Sequence, residues 1–316
     1  MTTGLELPAL DGTNPLGFLA ALGVLDVLHR SGRHPTMYWT DDIVPVPRVD
    51  AAVADADELI GLLDADRVRW GDSVVLHGPA GQRLDDVKPA PALARQWASE
   101  VAGRIEHGRA EADLFCALLS EGGVDGKGSA KPSHLHFTAG QQKFLVMVRE
   151  LAERVDAERL GEAVFGPWRE DSPLPTLSWS SQGERIYALR GFNPSDDKRL
   201  GVPGADWLAL LGLVFFPTRV VTRASGEFAL ETSGCDQAWK RSALRWPVWR
   251  VPLGRDVVWS LVGDSALVGR QTRSRAEMAR MLGARGVLRV MQAPIRRNDQ
   301  GGYGSFGGAT VLIEGA

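Results

Sequence analysis

A basic, tryptophan-rich segment at residues 239–250 (WKRSALRWPVWR) contains the side chains best suited to binding chemistry. Alternation along a β-strand would place Trp246 on one face and Arg245 with Trp249 on the other. A cation beside a flat ring suits contact with phosphate and stacking on a nucleobase. We therefore expect Arg245 and Trp249 to contact nucleic acid and Trp246 to be buried. The alternative is an ordinary amphipathic strand without a ligand.

Further cations accompany this segment along the chain. Residues 237–297 contain 13 Lys or Arg and only 3 Asp or Glu. The Gly-rich segment 296–308 (RRNDQGGYGSFGG) adds aromatic rings and backbone freedom, and it could close over a nucleic-acid strand or form a hairpin tip. The predicted nucleic-acid-binding residues are Lys127, Lys131, Lys143, Lys240, Arg241, Arg245, Trp249, Arg296 and Arg297.

The formal net charge of −3 conceals opposite charges in two parts of the chain. Residues 1–125 carry a net charge of −10, and residues 126–316 carry +7. A charge distribution of this kind bears on partners rather than on fold. We expect an acidic, mainly helical region at 1–125 that faces protein or solvent. A basic α+β region at 126–316 would face nucleic acid, and the two regions could also form one compact unit.

Two histidines, His134 and His136, suggest a different chemistry. On a strand both imidazoles would project from one face and could supply two metal ligands. The spacing offers no third ligand, so surface histidines at a strand entry are the simpler interpretation. Nucleic-acid contact is a further possibility because lysines flank the pair. A metal-dependent nuclease or hydrolase using His134 and His136 is therefore kept as the alternative function.

The sequence contains no Gly-x-Ser-x-Gly, His-Glu-x-x-His or Cys-x-x-Cys pattern. The phosphate-loop pattern fails around Lys127, because Glu121 stands where its first glycine is needed. We therefore expect a protein that is not an enzyme and that has neither a metal nor a cofactor.

The sequence also bears on the compartment in which the protein works. Cys116 and Cys235 are too few for a disulfide framework, and free thiols suit a reducing cytoplasm. The longest apolar runs are shorter than the roughly 20 residues of a membrane span. No cationic segment precedes the first apolar run, as a signal peptide would require. These features predict a cytoplasmic protein with no membrane partner.

Helices and hairpins alternate along the chain and predict an α+β fold. An apolar helix should start near Pro15 with Thr13 or Asn14 as its cap and end at 31–32, because these residues suit a helix start. The other predicted helices are 57–63, 91–107, 111–120, 139–160, 206–216, 255–261 and 274–282. The predicted strands are 3–10, 37–40, 68–77, 176–180, 185–190, 219–223, 227–231, 244–251, 286–293 and 309–313. Residues 121–133 are predicted to be a flexible loop.

The two apolar helices contain similar sequences, LAALGVL at 19–25 and LALLGLV at 208–214. Gly23 and Gly212 occupy the same place in this repeat. Glycines there would permit close packing of the helices, but two unrelated buried helices could also share common residues.

Several segments together resemble subunits of type I-G (formerly I-U) CRISPR systems. They are LDGTNPLGFLAALG at 10–23, SW at 178–179, RIYALR at 185–190, NPS at 193–195 and DWLALLGL at 206–213. The resemblance implies a large- or accessory-subunit-like member of an RNA-guided antiviral surveillance complex. Such subunits contact guide RNA or target DNA and neighbouring subunits, and they generally do no chemistry themselves. None of the segments is a catalytic motif, and none identifies a particular nucleic-acid contact.

Overall fold

The fold is α+β, as predicted, with helices and small antiparallel sheets interleaved along the chain. The computed structural model describes residues 4–138, 141–181, 200–223, 225–236, 239, 241–267, 274–297 and 303–315. Its helices are α1 (Pro15–Arg30), α2 (Ala56–Arg69), α3 (Val74–His77), α4 (Pro91–Gly103), α5 (Ala110–Leu118), α6 (Phe144–Arg154), α7 (Ala157–Phe165), α8 (Pro203–Gly212), α9 (Arg255–Val262) and α10 (Arg275–Gly283).

The strands form two larger sheets and two separate hairpins, all antiparallel. The first sheet has the order β1 (Leu5–Glu6), β3 (Pro47–Asp50), β2 (Thr36–Trp39) and β9 (Leu253–Gly254). The second is centred on β10 (Val287–Arg297), which pairs with β8 (Ala243–Trp249), β11 (Gly304–Phe306) and β12 (Thr310–Glu314). The hairpins are β4 (Leu119–Val124) with β5 (Ala130–Pro132), and β6 (Thr218–Thr222) with β7 (Phe228–Thr232).

Helices α1 and α8 form the centre of the core. The Asn14 side chain caps α1 by accepting a hydrogen bond from Leu16 N at 3.2 Å, and Pro15 follows at the first helical position, as predicted. A Cβ atom on Gly23 would overlap the backbone of Leu208, and one on Gly212 would overlap the backbone of Leu19. The two glycines therefore do let the helix backbones approach closely, through reciprocal contacts of the repeated sequences.

Several predicted elements differ from the structure. The predicted strand 68–77 is wrong, because α2 continues to Arg69 and α3 occupies Val74–His77. The single helix predicted at 139–160 is two helices, α6 and α7, and Asp156 caps the second by accepting from Arg159 N. Residues 176–180 form no strand, and the prediction for 185–190 lies outside the described residues.

Residues 121–133 are not a flexible loop but most of the β4–β5 hairpin. Asp125 N donates a 2.8 Å hydrogen bond to Ser129 O, which closes the turn. The Asp125 carboxylate also accepts from Lys127 N at 2.8 Å and Ser129 N at 3.0 Å. The turn is therefore stabilised by the side chain of an aspartate, a residue typical of such turns.

Residues from both sides of position 125 share the core and one sheet. Strand β9 pairs with β2, and Trp246 Nε1 donates to Gly12 O at 2.9 Å. In the described part of the chain, no helix combines the length and the apolar character needed to cross a membrane.

Candidate nucleic-acid interface

Two cations lie against the half-buried ring of Trp239, and further cations lie in the same region. Arg297 Cζ lies 3.9 Å and Lys131 Nζ 4.9 Å from the centre of the ring, within range of cation–π attraction. In the same region, Arg297 and Lys143 repel the ammonium group of Lys88, and Arg223 repels that of Lys131. We call these five cations with Trp239 the Trp239 cluster: Lys88, Lys131, Lys143, Arg223, Arg297 and Trp239.

Two backbone hydrogen bonds bring the lysines of this cluster together from distant parts of the sequence. Lys131 lies in the middle of β5. The preceding residue, Ala130, donates its N–H to Pro89 O at 2.8 Å, which places Lys88 beside this strand. Leu145 N donates to Asp85 O at 3.0 Å, so Lys143 at the start of α6 adjoins the same segment. The segment from Asp85 to Pro89 thus connects β5 with the start of α6, and each of these three parts of the chain contributes one lysine.

The two arginines come from neighbouring sheets. Arg297 ends β10, and its guanidinium donates to His134 O at 2.7 Å and to His136 O at 3.1 Å. Arg223 follows β6, which packs against β4 through contacts of Val220 with Gly122 and Gly123. The guanidinium of Arg297 is therefore held in one orientation, whereas Arg223 is exposed.

Burial lowers the pKa values of three cations in the cluster, and repulsion adds to this effect for two of them. Burial has the largest effect on Lys88, and Arg297 and Lys143 lower its pKa further. Burial likewise lowers the pKa of Lys131, with additional repulsion from Arg223 and Arg297. The pKa of Arg297 falls to about 10, mainly because of burial. Holding these positive charges close together raises the free energy of the folded protein, and a bound anion would lower it.

Acidic groups offset part of this charge. Asp86 lies 3.8 Å from Lys88 and 2.9 Å from the His136 ring, measured to its two different carboxylate oxygens. Asp125 acts on Lys88 and Lys131 from the hairpin turn. Among the described residues, two carboxylates therefore act on this group of five cations.

The two histidines do not lie on a strand. His134 and His136 are buried in an irregular turn after β5. His134 Nδ1 lies 3.0 Å from Thr232 Oγ1, and His136 Nε2 contacts Asp86 and Thr138 Oγ1 at 2.9 and 3.0 Å. Burial lowers the pKa of His136, so its ring is neutral at pH 7. Neither is a surface histidine, and the described residues contain no set of three potential metal ligands in ligating proximity.

The predicted role of Trp249 is wrong, because its side chain is fully buried like that of Trp246. Trp249 Nε1 donates to Met37 O at 2.7 Å, and the ring meets Phe18 and Trp39 edge-on. The register of β8 against β10 shifts opposite Trp249, between Val287 and Arg289. The extra residue lies in β10, so the alternation of β8 itself is kept. Four consecutive residues of β8, Trp246–Trp249, are buried, so both faces of the strand are covered here and alternation does not predict exposure.

Arg245 is mostly buried and already has partners. It forms a 3.1 Å ion pair with Asp236, and its Nε donates to Gln292 Oε1 at 2.8 Å. These contacts link β8 to β10 and to the segment before β8. Arg245 therefore has a structural role in the described fold, and it is not a free cation for phosphate.

The other predicted nucleic-acid-binding residues that the structure describes lie at separate places on the surface. Lys127 is exposed in the β4–β5 turn, and Arg241 and Arg296 are exposed near the ends of β8 and β10. Lys240 lies outside the described residues. Of the predicted set, the structure brings Lys131, Lys143 and Arg297 together. It adds Lys88 and Arg223, which the sequence analysis missed because neither lies in a dense run of basic residues.

Comparison of the chain with protein-family models gave no match, and a search of curated proteins found no significant similarity.

Proposed function

We propose that the protein is a non-catalytic, nucleic-acid-binding subunit of a type I-G CRISPR antiviral complex in the cytoplasm. It would contact guide RNA or target DNA through the Trp239 cluster and neighbouring subunits through other surfaces. The observation that carries the nucleic-acid part is the concentration of five cations in one region, two of them against the Trp239 ring. The assignment to a type I-G complex rests on the sequence resemblance.

The chemistry of the cluster favours a polyanion with flat groups. Lys131 and Lys88 each repel further cations nearby, so a phosphate between them would be attracted to several charges at once. The guanidinium of Arg297 lies over the Trp239 ring and is fixed by two carbonyl oxygens. Planar guanidinium and aromatic groups are surfaces on which unpaired bases stack. We therefore favour single-stranded RNA or DNA.

Three of the segments that carry the resemblance, 10–23, 178–179 and 206–213, are among the described residues and lie close together. Asn14 Oδ1 accepts from Ser181 N at 3.3 Å, and Leu177 N donates to Asp206 Oδ1 at 3.2 Å. Gly23 and Gly212 join the first and last of these segments. These residues build the core, which is consistent with a shared architecture. Nucleic-acid contacts would then come from the surface outside those segments.

The test is binding of a fluorescein-labelled single-stranded RNA, followed by fluorescence anisotropy, for the double variant Lys131→Gln/Lys143→Gln. We expect the affinity to fall about tenfold or more, because two phosphate contacts are lost. The melting temperature should not fall, because removing Lys131 also relieves repulsion within the cluster. Intact RNA after incubation with divalent metal is expected as well, and cleavage would instead indicate a nuclease.

The matched control is Arg275→Gln/Arg280→Gln, which removes two exposed cations from α10. This variant changes the net charge by the same amount and should bind RNA nearly as the wild type does. An equal loss of affinity in both double variants, or no loss in the cluster variant, would overturn the proposed interface.

A further inference from the structure

Phe228, the first residue of β7, has an unusually open position for a large apolar side chain. It is 78% exposed and is the most exposed aromatic residue in the described part of the chain. It pairs with Thr222 across the β6–β7 hairpin, so a regular strand presents the ring to solvent. A side chain on a backbone that is already ordered loses less conformational entropy when a ligand binds it.

The ring belongs to the face of the hairpin that leads to the Trp239 cluster. Side chains at every second position of a strand share a face, so Phe228 lies with Leu230 and Thr232. Thr232 Oγ1 is 3.0 Å from His134 Nδ1, and the His134 ring is 5.3 Å from the Trp239 ring. Thr232 and Phe228 are about 13 Å apart along β7, at the usual rise per residue. Two aromatic rings therefore lie toward opposite ends of one face.

Strand β4 crosses this face between its two ends, and it does so at two glycines. A Cβ atom on Gly123 would meet Leu230 at 2.7 Å, and one on Gly122 would meet Val220 at 3.4 Å. Glycine within a strand is typical of places where another chain approaches closely. The surface that connects the two rings therefore has no side chain at these two positions of β4.

Arg223 provides an electrostatic connection between Phe228 and the cluster. It follows Thr222, the cross-strand partner of Phe228, and its side chain is exposed. Its guanidinium repels the ammonium group of Lys131, which itself lies 4.9 Å from the centre of the Trp239 ring. Cations thus continue from Trp239 toward the end of the hairpin that carries Phe228. Basic surfaces with aromatic rings at intervals are typical of proteins that bind single-stranded nucleic acid.

We propose that Phe228 is a second base-stacking residue of the interface. A single strand with one base at the Trp239 cluster continues over β4 and stacks another base on Phe228. The inference rests on the proposed function and deepens it, because it gives the direction in which the strand leaves the cluster. A protein partner could also cover an exposed phenylalanine, but the nearby charges of Arg223 and Lys131 favour an anionic ligand. Every base has a flat face, so this contact does not select a sequence.

The test is fluorescence anisotropy of Phe228→Ala with a fluorescein-labelled RNA of about 12 nucleotides, within the usual site size of single-strand binders. We expect the affinity to fall about fivefold or more, as the loss of one stacked base does. The melting temperature should not change, because the ring is exposed. Unchanged affinity would overturn the proposal and leave Phe228 as a contact for a protein partner.

Two further variants separate stacking from general apolar contact. Phe228→Trp retains a flat ring and should retain the affinity. Phe228→Leu retains an apolar side chain without a ring and should lose as much affinity as Phe228→Ala. Full affinity in Phe228→Leu would contradict stacking.

Trp259→Ala is the matched control, because it removes another exposed ring, on α9 and outside the cluster. It should bind the RNA as the wild type does, and an equal loss in Trp259→Ala and Phe228→Ala would contradict a specific contact. A labelled dinucleotide is too short to reach both rings, so the wild type and Phe228→Ala should bind it equally. A loss with the dinucleotide as well would contradict a contact beyond the cluster.

Failure of this inference is distinguishable from failure of the proposed function. Lower affinity in Lys131→Gln/Lys143→Gln, with no loss in Phe228→Ala, would leave the cluster as the interface and remove Phe228 from it. Absence of RNA binding by the wild type would instead overturn the proposed function, and this inference with it.

Discussion

Trp246 and Trp249 are both fully buried, although simple alternation along β8 assigns them to opposite faces. The Trp246 ring lies 5.8 Å from Phe18, and the Trp249 ring lies 6.3 Å from it. Both indole N–H groups donate to backbone carbonyls, of Gly12 and Met37. At the scale of single residues, two tryptophans of the same basic segment therefore differ in role. Trp249 belongs to the core, whereas Trp239 is a candidate binding residue.

We predict that Trp249→Ala destabilises the protein by about 3–5 kcal/mol, as other large truncations in a core do. The RNA affinity of the folded fraction should be unchanged, because the ring is not accessible. Urea unfolding measures the first quantity and anisotropy the second. Trp259→Ala serves as the control, because that ring is 45% exposed and its loss should cost less. A variant with normal stability and impaired binding would restore the original prediction for Trp249.

At the scale of elements, the α1–α8 contact depends on two glycines. Each would bring a Cβ atom into the backbone of the opposite helix if it were replaced. Backbone atoms cannot move aside as the end of a flexible side chain can, so relief requires the helices to separate. The contact between the repeated sequences is therefore specific to glycine at both positions.

We predict that Gly23→Ala and Gly212→Ala each lower the free energy of unfolding by about 1–3 kcal/mol or more through overpacking. The larger change Gly23→Leu should be at least as damaging. Gly61→Ala is the matched control, because Gly61 lies within α2 with nothing close to its Cβ position. There, alanine should stabilise the helix by up to about 1 kcal/mol. Equal effects at all three glycines would show that helix propensity, rather than packing, dominates.

At the scale of the whole molecule, the division of charge along the chain does not correspond directly to two surfaces. Lys88 comes from the acidic part but joins the Trp239 cluster. Three arginines that line a cavity between α1, α2, α5 and α9 also come from the acidic part: Arg69, Arg104 and Arg109. The local potential thus depends on which segments the fold brings together, and the net charge of a long segment is a poor guide to it.

We predict that RNA affinity falls steeply with salt, because phosphates neutralised by the cluster release their counterions. Up to five contacts with a single strand would give a slope of about −3.5 in a plot of log affinity against log salt concentration. The Lys131→Gln/Lys143→Gln variant should show a shallower slope, by about 1.4. Anisotropy titrations at several NaCl concentrations measure both slopes. A flat dependence in the wild type would contradict an electrostatic interface.

The local patterns in the sequence predicted many elements correctly but predicted the candidate site only in part. Residues 219–223 and 227–231 form the expected hairpin, and the strands predicted at 286–293 and 309–313 are paired. The predicted site residues Lys131 and Arg297 do lie together, whereas Arg245 is engaged in ion pairing. Local signals such as turns and caps act over a few residues, but the partners of a charged side chain come from the whole fold.

By itself, the sequence determined the α+β class and the start of α1, and it indicated Gly23 and Gly212 as candidates for close helix packing. These features follow from side-chain size, periodicity and backbone hydrogen bonding, which are properties of neighbouring residues. Only the tertiary structure decided that Trp249 is buried and that Lys88 joins Lys131 and Arg297. The physical reason is that burial and electrostatic potential depend on residues far apart in the chain, and spacing along the sequence does not encode those distances.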